Sequence, residues 1–418
     1  MIIIKIRPPV QGIMRELIFL GVAAFLDFAS SVDIYPYEHA SLIFEGEDED
    51  LSRDFSEFLS NYYGDLSSKV KSSPGSALLK NDRESYRKTY LELFGTDLPQ
   101  DVTYPVLFLD IIRKTSSLLK DGKISPIRSL ETVRDNRLGD AGSFFILPSI
   151  IKQMEFYEES THFLKPTTGG KSMVELDPIW FSLLAVGFLL SYAGYHGGAY
   201  YLITYPSYEE NLGSRSILET IRSVADVNIQ ARIQLENEEI YELRLSMGLA
   251  KRIATKKVVE RYEWPLRIYK VAPVGKAFTA EKTLDLDLDR LVSFCSKYLE
   301  EYQKLEEKPF VNIGRKDEKE ETDPLEAMII LAEEELTRPV SGDNEMIVVI
   351  LIKDLYRAIN SSGNVRISLI KEALYRTLRK AKAIEKTEER VSWLLRRTMH
   401  EFSNENNIKC LLKAAEIG

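Results

Sequence analysis

Between Pro178 and Tyr208 the chain carries no Asp, Glu, Lys or Arg, and Ile179–Tyr192 (IWFSLLAVGFLLSY) is apolar almost all the way round. A helix that is apolar on every face must be surrounded, either by other protein elements or by lipid. Spanning a bilayer takes about 20 such residues, and this run has 14. Gly194, Gly197 and Gly198 then break it, and Tyr200–Tyr205 has strand composition. The run therefore reads as a fully buried core helix, with a membrane span as the competing reading. Its start is marked by Asp177-Pro178: an Asp that accepts from free N–H groups, and a Pro that fits the first turn.

With 418 residues, 44% hydrophobic and 28% charged, the chain can build two or three domains around such a helix. Met1–Arg7 reads as a strand stopped by Pro8-Pro9, with no signal peptide. Helices are expected at Gly12–Phe28, Ser52–Tyr63, Asp82–Leu93, Pro105–Leu119 and Pro148–Glu159, and a short strand at Ser41–Phe44. Ser67–Ser76 reads as an exposed loop, and Ile127–Asp140 as a polar, mobile stretch. Strands are favoured at Val227–Leu235, while Ile240–Leu249 and Val258–Val271 fit either element. Leu284–Leu288 reads as a short strand or as the entry to helix Leu291–Leu305. After the charged linker Glu306–Thr322, helical periodicity continues to the end, with Asp323-Pro324 as a cap. The expected fold is α+β: a mixed α/β body over 1–315 and a C-terminal helical bundle over 322–418.

The charge distribution is uneven. The net charge is −9, yet Val365–His400 holds ten Lys/Arg against four Glu, and Arg244–Lys270 holds eight against two. Basic stretches on an acidic chain suit surfaces that attract polyanions. Over Arg366–Ala383 the residues Ile367, Ile370, Leu374, Leu378 and Ala381 share one stripe. Arg376, Arg379, Lys382 and Lys386 fall away from it, with Tyr375 among them. The next helix, Thr387–Phe402, turns Arg390, Arg396 and Arg397 outward. Such cations neutralise phosphates and release counterions; the alternative is an ordinary solvated bundle exterior. In the other segment Lys251, Arg252, Lys256, Lys257 and Arg261 accompany Tyr262, Trp264 and Tyr269. Cations beside aromatics suit backbone gripping with base stacking, and core aromatics under a coat of lysines are the alternative.

Other motifs lead away from catalysis. Lys165–Ser172 (KPTTGGKS) ends like a phosphate loop but has Lys165 where the first glycine belongs. Lys165 and Lys171 then read as a loop touching a nucleic-acid backbone or groove, or as a plain turn. Asp285, Asp287 and Asp289 alternate on LDLDLD without a completing His or second acidic cluster, so solvation or helix capping is the better reading. His196, in GYHGG, reads as a structural loop residue, with a catalytic pocket around it as the competing reading. No HD pair, GxSxG, HExxH or GxGxxG occurs, and neither enzyme activity, a metal nor a cofactor is expected. The two cysteines, Cys295 and Cys410, fit a reducing cytoplasm. Abundant Ile, Lys, Glu and Tyr points to a thermophilic source.

Two stretches, SYAGYHGGAYYLITYP after the apolar helix and the closing ISLIKEALYRTLRKA…SWLLRRTMH, together with the layout, resemble the large subunit of archaeal type I-A CRISPR effector complexes (Cascade). The resemblance implies a non-catalytic subunit partnered by guide RNA, target DNA and other CRISPR effector subunits, with no membrane. In such complexes base pairing reads the target, and the protein reads a short flanking motif. A protein-only structural assembly subunit is the remaining alternative.

Overall fold

The structure, a computed structural model, describes residues 2–6, 13–29, 33–37, 41–134, 137–151, 174–196, 198–204, 247–248, 250–251, 254–255, 266–274, 277–286, 288–313, 321–337, 347–361, 363–381 and 390–416. It is an α+β fold that divides into two compact units, Met1–Ile233 with Pro265–Leu286, and Gln234–Trp264 with Asp287–Gly418. The division falls at residues 286/287 and not at the expected 315–322. The reason is packing: helix Asp289–Gln303, assigned to the body from sequence, lies against the C-terminal helix Glu405–Ala415. The middle segment Gln234–Trp264 also joins the second unit.

In the first unit β1 (Ile2–Ile6), β2 (Asp33–Tyr37) and β3 (Ser41–Gly46) form an antiparallel sheet in the order β1-β3-β2. Helices α1 (Ile13–Phe28), α2 (Asp48–Ser72), α3 (Lys80–Phe94), α4 (Tyr104–Lys120), α5 (Pro126–Glu131) and α6 (Pro178–Ser191) make up most of the remainder. The stretch read as polar and mobile holds α5 and the short strands β4 (Val133–Arg134) and β5 (Arg137–Leu138). With β6 (Phe145–Ile146) and β7 (Glu175–Leu176) they order as β4-β5-β7-β6. A further antiparallel sheet runs β11-β10-β9-β8, from β8 (Tyr192–His196), β9 (Ala199–Thr204), β10 (Leu266–Val274) and β11 (Ala277–Leu286). LDLDLD thus begins in β11 and ends in the helix that opens at Asp289.

The apolar run folds as the sequence requires. All residues of α6 are buried, and no helix among the described residues is long and apolar enough to cross a membrane. Fully burying each Leu, Ile or Phe contributes roughly 1.5–3 kcal/mol, so this helix is a large part of the core. It crosses α1 at backbone contact. A Cβ on Gly187 would run into the Leu17 carbonyl oxygen, and one on Gly21 into that of Leu183.

Both ends of α6 are closed by charged side chains. At the N-terminus Asp177 Oδ1 accepts from the Ile179 and Trp180 amides, at 3.0 Å each. Its Oδ2 accepts from the Ser129 hydroxyl and from the amides of Asp140 (3.1 Å) and Ala141 (3.2 Å). At the C-terminus the buried Lys69 Nζ donates to the carbonyls of Leu189 (2.7 Å) and Leu190 (3.3 Å). An acid at the positive end and a base at the negative end both complement the helix dipole. Lys69 lies within Ser67–Ser76, expected to be a loop; instead α2 runs on through Ser72 because Leu66, Lys69 and Val70 share a buried face.

The second unit is helical: α7 (Asp289–Gln303), α8 (Pro324–Thr337), α9 (Ile347–Ile359), α10 (Gly363–Ala381), α11 (Arg390–Phe402) and α12 (Glu405–Ala415), with a two-stranded ribbon β12 (Val311–Asn312) and β13 (Glu321–Thr322) inside the expected linker. The apolar run Ile-Val-Val-Ile-Leu-Ile is helical, as the continuing spacing of Leu355, Ala358 and Ile359 requires; these three are buried. Asp323 caps α8 by accepting from the Leu325 and Glu326 amides at 3.1 Å. Inside, the Tyr298 hydroxyl donates to Asn407 Oδ1 at 2.6 Å, joining α7 to α12. The expected helix Pro148–Glu159 is described only to Ile151, and Val227–Leu235 lies outside the described residues.

Candidate nucleic-acid interface

Helix α10 is amphipathic in the way its sequence demands. Ile370, Ala373 and Leu374 are buried, and the helix packs against α9 and α12. Lys371, Glu372, Tyr375, Arg376 and Arg379 are exposed, Tyr375 at 68%. Arg376 is partly neutralised, at 3.1 Å from Glu372 and 3.5 Å from Asp354. Arg379 makes no ion pair among the described residues. On α11, Arg396 and Arg397 are half-buried, less open than expected, because Thr398 and Met399 beside them turn into the core. His400 is exposed, with Nδ1 3.3 Å from Glu401. At the start of α10, Arg366 is buried and donates to the carbonyls of Ser361 (3.0 Å) and Ala415 (3.4 Å), so it ties the turn before α10 to the end of α12.

The other basic segment does not form an exposed strip in its described part. Lys251, expected as a phosphate contact, is 1% exposed. Its Nζ lies 2.6 Å from Asp323 and 3.9 Å from Glu326, and 5.8 Å from the centre of the Tyr298 ring. Met247, Ala250 and Ala254 are buried around it, so this stretch faces the bundle and the lysine must find a carboxylate inside. Arg267 and Tyr269 belong to β10 in the first unit. Tyr269 is buried, not a stacking platform: its hydroxyl donates to Glu16 at 3.1 Å, and Arg267 pairs with the same carboxylate at 3.1 Å. Burial raises the pKa of Glu16, and the Thr204 hydroxyl and Arg267 act against that. Lys165, Lys171, Arg252, Lys256, Lys257, Arg261, Lys382 and Lys386, with Tyr262 and Trp264, lie outside the described residues.

Sequence reasoning passed over Lys371. Its signal was legible: it precedes the exposed Tyr375 by four residues, one helical step along the same ridge. A cleft of about 790 Å³ lies in the first unit between the start of α2, the turn after α4, α5 and the Asp140–Gly142 loop. Arg53, Lys120, Lys123 and Arg128 line it, and so do Asp48, Glu49, Glu57 and Asp140. Equal numbers of opposite charges give it no net field for a polyanion. The backbone at His196 lies on β8, and its side chain lies outside the described residues. No group of three or more His, Cys, Asp or Glu that would suit a metal ion occurs among the described residues. Cys295 is buried, and its thiol is pushed up to about 12 by burial, which makes it a poor nucleophile.

No curated protein and no solved structure matches the chain significantly. Residues 42–412, nearly its whole length, match the family model described as CRISPR-associated protein (Cas_Csx9), and the chain belongs to that CRISPR-associated family.

Proposed function

We propose that this protein is a non-catalytic, nucleic-acid-binding large subunit of a type I-A CRISPR interference complex, working in the cytoplasm with guide RNA, target DNA and other effector subunits. The observation that carries this reading is the exposed cationic face of α10, with Lys371, Arg376 and Arg379 at the surface, in a chain of a CRISPR-associated family. Cations there neutralise phosphates without reading sequence, which suits a complex in which base pairing supplies the sequence information.

The test is binding of guide RNA, and of duplex DNA in the presence of partner subunits, across a salt series. Wild-type affinity should fall steeply with salt. Replacing Arg376, Arg379, Arg396 and Arg397 with Ala should lower the salt slope by about one for each true phosphate contact. The largest share should come from Arg379, and a smaller one from Arg376, which already pairs with two carboxylates. Affinity indifferent to salt and to these replacements, with clean assembly onto a protein partner, would replace this reading by a protein-only scaffold.

A further inference from the structure

We infer that the ridge Lys371–Tyr375–Arg379 on α10 is a binding site for an unpaired nucleic-acid strand, with the Tyr375 ring as a stacking post between two phosphate contacts. This rests on the nucleic-acid reading above and specifies the kind of strand.

The three residues are four apart, so they form one ridge along the helix surface. From first to last the ridge rises about 12 Å, enough to bracket a nucleotide with a phosphate on either side. All three side chains are exposed, and Tyr375 is the most exposed large hydrophobic residue of those described. Among the described residues none of the three makes a hydrogen bond or an ion pair. Glu372, beside the ridge on the same helix, is occupied by Arg376 at 3.1 Å. Among the described residues the ridge therefore has two cations outside any ion pair, flanking an exposed aromatic face.

That combination favours a single strand over a duplex. In a duplex each base face is covered by its neighbours, so a tyrosine ring gains nothing from it. An unpaired base offers its π-face to any aromatic, whatever the sequence. RNA and DNA strands share this chemistry.

The experiment uses the full chain and one labelled mixed-sequence oligonucleotide, presented as single-stranded RNA, single-stranded DNA and duplex. Tyr375→Ala should weaken single-strand binding about tenfold and leave duplex binding unchanged, and Tyr375→Phe should restore it. Lys371→Ala and Arg379→Ala should weaken all forms and lower the salt slope by about one each. The relative loss on RNA and DNA tells which strand the site prefers. The exposed position of Tyr375 means its thermal midpoint should not move, which separates loss of contact from loss of fold. Equal loss on single strand and duplex, or no loss in Tyr375→Ala while Arg396→Ala and Arg397→Ala weaken binding, overturns the stacking site alone. Polyglutamate competing as well as the oligonucleotide, unaffected by Tyr375→Ala, overturns it in favour of an acidic protein partner. A wild-type chain that binds no form of nucleic acid overturns this inference and the function proposed above together.

Discussion

Each unit buries a lysine, and the two are held in different ways. Lys69 in the first unit is met by the last carbonyls of α6 and by the Tyr192 ring at 5.9 Å. Lys251 in the second unit is met by a carboxylate at 2.6 Å. A helix end offers partial charge, about half an electron, whereas a carboxylate offers a whole one. The first arrangement leaves the amine short of compensation, and burial lowers its pKa to about 7. A neutral amine still has two N–H groups for the two carbonyls. The second arrangement makes an ion pair whose members depend on each other, since the same Asp323 also caps α8. Charge in the first unit closes the ends of an apolar helix; in the second it joins one segment to another.

This contrast is open to direct attack. Lys251→Ala should be the most damaging change, because it strands Asp323 in a site only 11% exposed. A loss of about 3–5 kcal/mol is expected, read as a fall in the urea midpoint of the second unit's transition. Lys251→Met combined with Asp323→Asn should recover much of it, since the Asn oxygen keeps the cap and no charge is left buried. Recovery that fails would show that the ion pair itself, and not the avoidance of a lone charge, holds the segment.

Asp177→Ala comes next. It removes the acceptor of five donors: the amides of Ile179 and Trp180 in α6, those of Asp140 and Ala141, and the Ser129 hydroxyl. Losing the cap and leaving buried donors unmet should cost about 3 kcal/mol, measured in the first unit's transition. Asp177→Asn should cost less, because one oxygen still accepts from Ile179 and Trp180.

The smallest loss should come from Lys69→Met, about 1 kcal/mol for the two carbonyl hydrogen bonds near pH 10, where burial no longer costs a charge, and its pH signature is the sharper test. The folded amine titrates at about 7 and the unfolded one at the ordinary 10.5. Between those values the unfolded chain binds more protons, so this residue makes stability rise with pH, and its penalty is complete below about 7. In Lys69→Met that rise should vanish from denaturant midpoints taken across pH 7–10. An unchanged slope would mean that the helix carbonyls compensate the ammonium as fully as a carboxylate would.

The balance between local and distant information follows the same line. The start of α6, its complete burial and the helical character of the C-terminal region are readable from neighbouring residues. Asp177-Pro178 is a local cap, and periodicity is a property of a short window. The reach of α2 through Ser72 is not, since its Ser-rich end looks like a loop until Lys69 meets α6, 120 residues away. Nor is the fate of the basic segment around Lys251. Its cations look alike in sequence, and the acid that takes Lys251 inside lies 72 residues on. Tyr269 finds Glu16 across 253 residues. On α10, by contrast, the exposed ridge could be drawn from the helical spacing alone.

What the amino-acid order determined unaided is therefore the set of local choices: where helices begin, which stretch must be buried on all sides, and which charges cluster along the chain. Only the tertiary structure decided which of those charges remain on the surface. A lysine's environment depends on partners brought in by chain folding, and a buried cation and a solvated one are spelled the same way.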